Sequence, residues 1–297
     1  MERKDQIDKF GASALVIFAI VLACNQVVIK LTNGGFSPVF AAGARSLIGI
    51  FAVGLWIALR RKPFGLTRRN LPSCLLAGFL FAIEFICLYI ALDVTTVSRA
   101  SIIFYSMPVW LALIAHFLLP GERLSPRRMT GLALAMAGVS WALLDRQTGE
   151  ASLLGDLAAF GAAIAWAGIA LLLRLTPMSE MKSDTQLFWQ LFISAPLLLG
   201  ASLFFGPVLR DPEMLHVVGL LFQAVGVVAV GYMVWFWLMS IYPASDVASF
   251  SFLSPVFSVL LGWLVLGEEV GLSIWGGLVL VAIGLILINK RRRVTTA

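Results

Sequence analysis

Residues 98–123 read SRASIIFYSMPVWLALIAHFLLPGER, and residues 245–269 read SDVASFSFLSPVFSVLLGWLVLGEE. The two stretches are copies of one pattern. Ser98 and Pro108 stand 147 positions before Ser245 and Pro255. The spacing is 146 from Gly121-Glu122 to Gly267-Glu268, and it stays 146 for Gly131 against Gly277 and Gly138 against Gly284. Each copy is an apolar run with a proline in its middle, a Gly-Glu turn, and a second apolar run. A proline inside a helix removes a backbone hydrogen bond and bends the chain. The same bend met twice is the mark of a duplicated unit, with a site expected between the halves.

Composition sets the class. Of 297 residues, 60% are hydrophobic and 13% charged, against about 25% charged in soluble domains. A polytopic membrane protein is the reading, and no segment between apolar runs could hold a large soluble domain. The net charge of +6 comes from short basic clusters at helix ends, so it predicts membrane topology and not nucleic-acid binding. Cys24, Cys74 and Cys87 lack metal-ligand spacing and read as small buried residues. Val21-Leu22-Ala23-Cys24 faintly resembles a lipoprotein cleavage site, but the apolar run continues through Val27-Val28-Ile29, which predicts an uncleaved first helix.

A membrane-spanning helix needs roughly 20 mainly apolar residues. Ten stretches qualify: 10–30, 37–59, 71–92, 98–119, 127–144, 154–174, 184–205, 215–241, 245–266 and 271–289. With the N-terminus cytoplasmic, loops on the inside carry 17 Lys and Arg and those outside carry 4. The inner set includes Arg60-Arg61-Lys62, Arg127-Arg128 and the run Lys290 to Arg293; the outer set is Lys30, Arg99, Arg146 and Arg210. That asymmetry predicts both termini inside. Five spans is an odd number, so the second half enters the membrane inverted. The charges agree: GERLSPRR at 121–128 is basic, whereas GEEVGLS at 267–273 has no Lys or Arg. The expected fold is therefore an all-α integral membrane protein with ten transmembrane helices as two inverted five-helix repeats. Its parts are a cytoplasmic tail (1–9), a first repeat (10–147), a second repeat (148–289) and a basic cytoplasmic tail (290–297).

No Walker loop, HExxH, GxSxG or Cys/His cluster is present, so neither an enzyme nor a cofactor or metal is expected. Transport would draw on an ion gradient, the substrate's own gradient or a partner. Ionisable residues inside the membrane are costly and mark function. Arg45 and Glu84 are the two that lie clearly inside, each about 12 Å from the outer face at about 1.5 Å per residue. They are expected to pair, or to reach one polar cavity together; a structural ion pair fixing helix register is the plainer alternative. Asn25 lies near the same depth. Gln26, Gln186, Gln190 and Gln223 read individually as interhelical contacts. Tyr105, Trp110, Trp166, Tyr232 and Trp235 are deep aromatics suited either to helix packing or to a cavity for a flat amphipathic solute. The substrate-cavity candidates are thus Asn25, Glu84, Tyr105, Trp166, Tyr232 and Trp235. Pro108 and Pro255 are hinge candidates for two gates. Trp56, Trp141, Trp263 and Trp275, with His116 and His216, are expected near the interfaces.

The repeated blocks Pro108…Gly121-Glu122 and Pro255…Gly267-Glu268, the glycines Gly131, Gly138, Gly277 and Gly284, and an arginine in the second helix (Arg45) resemble the drug/metabolite transporter superfamily in its ten-helix EamA-repeat branch. Within it, the chain looks most like YddG-type bacterial exporters of aromatic amino acids. The resemblance spans nearly the whole chain, and its motifs specify fold better than substrate. It implies efflux of aromatic or other amino acids by alternating access, a bacterial-type inner membrane location, and a cavity lined by the first, third, fourth, sixth, eighth and ninth helices. The partners it implies are a small-molecule substrate and membrane lipid, with no nucleic acid; a monomer is compatible with it. The second half has Trp189 where the first has Arg45, so the cavity is expected to be asymmetric. Purines, drugs or other metabolites are the alternative cargo. Sugar phosphates fit poorly, because doubly charged anions want several midplane cations. An intramembrane enzyme or a channel is the remaining reading.

Overall fold

A computed structural model describes residues 7–118, 124–144, 152–242, 247 and 250–289. Among these, every extended element is a helix, apart from one antiparallel bridge between Phe36 and Leu209. The first half comprises α1 (Lys9–Gly35), α2 (Pro38–Leu59), α3 (Leu71–Val94), α4 (Val97–Phe104), α5 (Met107–Leu118) and α6 (Pro126–Leu144). The second comprises α7 (Leu153–Leu175), α8 (Ser183–Ser202), α9 (Met214–Leu221), a π-helix (Phe222–Gly231), α10 (Tyr232–Ile241), α11 (Leu253–Leu266) and α12 (Leu272–Asn289). Among the described residues, six helical segments are long and apolar enough to cross a membrane; Val97–Leu118 and Met214–Ile241 each count as one. Leu253–Leu266 and Leu272–Ile288 are shorter apolar helices.

Local chemistry sets the helix starts. Asp8 accepts from Gly11 N at 2.8 Å to cap α1, and Ser37, followed by Pro38, caps α2. Thr96 caps α4 through Arg99 N. Pro196 lies inside the continuous helix α8. The two repeated prolines behave otherwise, which corrects the expectation of a bend in mid-helix. The chain breaks at Tyr105–Ser106, and Pro108 is the second residue of the helix that restarts at Met107. Pro255 is the third residue of α11, after a 3-10 turn at Phe250–Phe252. In a first turn the missing N–H costs nothing, because that donor has no intrahelical acceptor. Each proline therefore marks a helix restart.

The most extensive packing runs between the halves, not within them. α6 lies along α12, α3 along α7, and α2 along α8. α1 meets α9 and α11, as α7 meets α3 and the pair α4–α5. α3 meets α8, as the π-helix and α9 meet α2. Exchanging the halves maps this set of contacts onto itself. The α6–α12 seam shows the direction of the exchange. A side chain at Gly131 would meet the backbone oxygen of Gly284, and one at Gly284 the oxygen of Gly131; Gly138 and Gly277 oppose each other in the same reciprocal way. The sequence repeat equates Gly131 with Gly277 and Gly138 with Gly284, so the equivalent glycines meet crosswise and the two helices run antiparallel.

The Gly-Glu turn has a structural reason. Gly267 ends α11 in the left-handed region at φ 67°, which a side chain would oppose. The turn swings Glu268 onto the N-terminus of α4. There its carboxylate accepts from Val97 N at 2.5 Å, Ser98 N at 2.9 Å and Ser98 Oγ at 2.6 Å. A buried carboxylate on free helix N–H groups is favoured by both hydrogen bonding and the helix dipole. Glu268→Gln keeps one acceptor and loses the charge; thermal unfolding in detergent is expected to register a loss of about 1.5–3 kcal/mol, the value of a hydrogen bond to a charged group. The matching Gly121-Glu122 turn lies outside the described residues, as do Ser245, Arg146, residues 1–6 and the basic tail 290–297.

Candidate functional site

A cavity of about 430 Å³ occupies the middle of the bundle. Its wall takes residues from α1, α3, α4, α5, α7, α8, α10 and α11, with Arg45 from α2 and Val227 from the π-helix. The contribution of α8, through Ser183, Gln186, Leu187 and Gln190, adds a helix to the expected set, and Arg45 adds another. The lining reaches Leu15, Arg174, Ser183 and Trp235 at one end of the bundle. Among the described residues none of 89–103 or 152–165 contributes to it.

All six cavity candidates line this wall: Asn25, Glu84, Tyr105, Trp166, Tyr232 and Trp235. The aromatics come as ordered pairs. Trp166 stacks on Phe104 with centroids 4.9 Å apart and meets Tyr105 edge-on; Trp235 stacks on Phe18, also at 4.9 Å. Pro108 lines the cavity as well. Pro255 is buried beside it, and its neighbour Ser254 reaches the wall instead.

Arg45 and Glu84 share the cavity without bonding directly. The Arg45 guanidinium lies over the Phe85 ring, 4.0 Å from its centroid, an arrangement in which the ring face attracts the cation. Arg45 Nε and Nη1 have no hydrogen-bond partner, and neither do Asn25 Oδ1 and Gln26 Oε1. Of the two expected arrangements, a direct pair or one shared polar cavity, Arg45 and Glu84 lie in one cavity wall with no hydrogen bond between them. Each unmatched buried polar group costs about 1–3 kcal/mol, an expense that a packed structural core would avoid. Just outside the wall a hydrogen-bonded set links α1, α3 and the π-helix. Tyr89 Oη donates to Gln223 Oε1, Gln223 Nε2 donates to Thr32 Oγ1 at 2.8 Å, and Asn33 Nδ2 donates to the Tyr89 carbonyl at 3.0 Å. Gln26 Nε2 reaches Tyr105 Oη at 3.3 Å. Gln223 is the interhelical contact that the sequence suggested.

The far end of the bundle is closed by a polar junction that sequence reasoning missed. Arg99, counted among the loop cations, is 1% exposed. Its Nε and Nη2 hold both oxygens of buried Asp156 at 2.6 and 2.7 Å, and Nη1 and Nη2 donate to the carbonyls of Ala142 and Leu143. One guanidinium therefore joins α4, α6 and α7. Lys30 Nζ donates to the Thr95 carbonyl at 2.7 Å. On the adjacent loop Arg210 makes two bonds to Asp93, at 2.7 and 2.9 Å, and this partner holds the guanidinium above its ordinary pKa. A basic residue immediately before an apolar run looks like a loop charge, and nothing local in the sequence distinguishes a buried one.

Residues 9–144 and 153–290 each match the EamA-like transporter family. The chain belongs to this family. It is thus a multi-pass membrane transporter, and its relatives are transporters too. An uncharacterized transporter of Bacillus subtilis (strain 168), YvbV, is 28% identical, with 98% of this EamA chain and 96% of the relative covered. A probable amino-acid metabolite efflux pump of Escherichia coli (strain K12) is 28% identical over 96% of this chain and 94% of its own. A crystal structure at 19% identity superposes with TM-score 0.69, covering 93% of this chain and 96% of that one, and so shares the fold.

Proposed function

We propose that this EamA protein is a secondary transporter that exports amino acids, aromatic ones foremost, from the cytoplasm by alternating access. The observation that carries the reading is the central cavity: stacked aromatic rings on one part of the wall, buried Arg45 and Glu84 on another. Such a wall suits a small solute with a flat apolar body and a charged head. The printed names of relatives in Escherichia coli and Salmonella typhimurium, probable amino-acid metabolite efflux pumps, support the same class.

The proposal includes ten spans in two inverted five-helix repeats, in a bacterial-type inner membrane with both termini cytoplasmic. The antiparallel glycine seam and the exchange of contacts between halves support the inversion, and the Lys/Arg asymmetry supports the orientation. In that orientation the Arg174–Ser183 end is cytoplasmic and the Arg99–Asp156 junction is external. The structure then corresponds to an inward-open state, with the helix restarts at Pro108 and Pro255 as hinges. Flat drugs or purines are the second reading, because most of the wall is apolar and would accept them.

Counterflow into liposomes containing the purified chain tests the function. Vesicles loaded with unlabelled L-phenylalanine are expected to accumulate labelled L-phenylalanine transiently and saturably. A carrier gives this overshoot and a pore does not. Absence of counterflow for every amino acid, aromatic ones included, would remove the proposal.

A further inference from the structure

We infer that the polar wall of the cavity is a clamp for a zwitterion, with Arg45 receiving a free α-carboxylate and Glu84 together with Asn25 receiving a free α-ammonium. The inference rests on the amino-acid reading above and assigns the part of the substrate that is recognised.

Three observations converge. First, the wall holds one basic and one acidic side chain, Arg45 at 1% and Glu84 at 5% exposure, on neighbouring helices α2 and α3. Second, they do not hydrogen-bond to each other. Arg45 is held over Phe85, and its Nε and Nη1 have no partner. Third, the remaining unmatched groups of the wall are acceptors: Asn25 Oδ1 and Gln26 Oε1, both on α1. The wall therefore offers donors at Arg45 and acceptors at Glu84, Asn25 and Gln26. The terminal amide torsions of Asn and Gln are soft, so their oxygens can turn toward a ligand at little cost.

A ligand that satisfies both sets must carry acceptors and donors together. A simple anion would meet Arg45 but leave the acceptors of Glu84, Asn25 and Gln26 unpaired. A simple cation would meet Glu84 but also the repulsion of Arg45. An α-amino acid presents a carboxylate and an ammonium two bonds apart and matches both, while its side chain lies against the Phe104–Trp166 and Phe18–Trp235 stacks. The apolar part of the ligand is then selected loosely and the charged head strictly. A site built around buried polar groups rejects analogues that leave one of them unpaired.

Competition in the L-phenylalanine counterflow assay tests this on the unmodified protein. The probes are phenethylamine, which lacks the carboxylate, and 3-phenylpropanoate, which lacks the ammonium. Both are expected to compete at least about tenfold more weakly than unlabelled L-phenylalanine, a factor corresponding to about 1.4 kcal/mol. In Glu84→Gln the handicap of 3-phenylpropanoate should shrink while that of phenethylamine persists; in Arg45→Gln the reverse should hold. Residues that merely fix helix register would not shift the two probes in opposite directions. If L-phenylalanine is carried and either probe competes within about threefold of it, the clamp is wrong and the transport reading stands. If no amino acid is carried, both fall.

Discussion

Replacing Arg99 by Met is expected to destabilise the protein by about 3–5 kcal/mol, the usual result of removing one partner of a buried ion pair. The loss comes less from the missing attraction than from what remains. Asp156 is 3% exposed and both its carboxylate oxygens would be stripped of the Arg99 donors. The carbonyls of Ala142 and Leu143, at the end of α6, would lose theirs as well. The double variant Arg99→Met/Asp156→Leu is expected to recover much of the loss, because well-packed apolar residues often replace a buried pair without penalty. Thermal unfolding of the wild type, both single variants and the double variant in one detergent gives the coupling directly. Additive effects of the two substitutions would mean that the junction is not a unit. Because the guanidinium joins three helices at the end of the bundle away from the cavity, the single variant is also expected to slow counterflow.

The second large effect lies in the seam between α6 and α12. Gly138→Ala would place a methyl group about 2.5 Å from the backbone oxygen of Gly277, and a backbone atom cannot move aside as a flexible side chain can. Helix-interior Gly→Ala is ordinarily favourable by about 0.5–1 kcal/mol. Here overpacking should reverse the sign and cost about 1–3 kcal/mol. Gly277→Ala, which meets the oxygen of Gly138, should behave alike. Gly200→Ala in α8 is the control: nothing lies within 4 Å of the added carbon, so the same change should leave stability equal or slightly higher. Equal melting temperatures for Gly138→Ala and Gly200→Ala would show that the seam is looser than described.

Much of the fold could be read from apolar length and from the repeat. The apolar stretches locate the helices because hydrophobic length is a crude, strong signal, and the offset between Gly131/Gly138 and Gly277/Gly284 anticipates the seam. The cavity candidates were legible for a different reason. Asn25, Glu84, Tyr105, Trp166, Tyr232 and Trp235 are polar or polar-tipped residues within apolar runs, where lipid leaves them few places to point. What escaped was geometry that depends on partners remote in sequence. Arg99 and Asp156 are 57 positions apart and each stands at the edge of an apolar run. Glu268 finds its helix N-terminus 170 residues away. The ring beneath Arg45 is likewise a matter of how α2 meets α3. The effect of Pro108 and Pro255 depends on where the neighbouring helix ends, which a proline does not disclose by itself.

The π-helix at Phe222–Gly231 bears on how the chain fits its bilayer. Met214–Ile241 is one apolar segment of 28 residues. As an ideal α-helix it would extend about 42 Å at about 1.5 Å per residue, well beyond a hydrocarbon core of about 30 Å. Hydrogen bonds from i to i+5 widen the turn, so each residue adds less length along the axis. The ten residues of this stretch thus draw the segment in toward the thickness of the membrane, and they do so in the protein's own backbone, where a regular helix of the same length would have to tilt or distort the lipid.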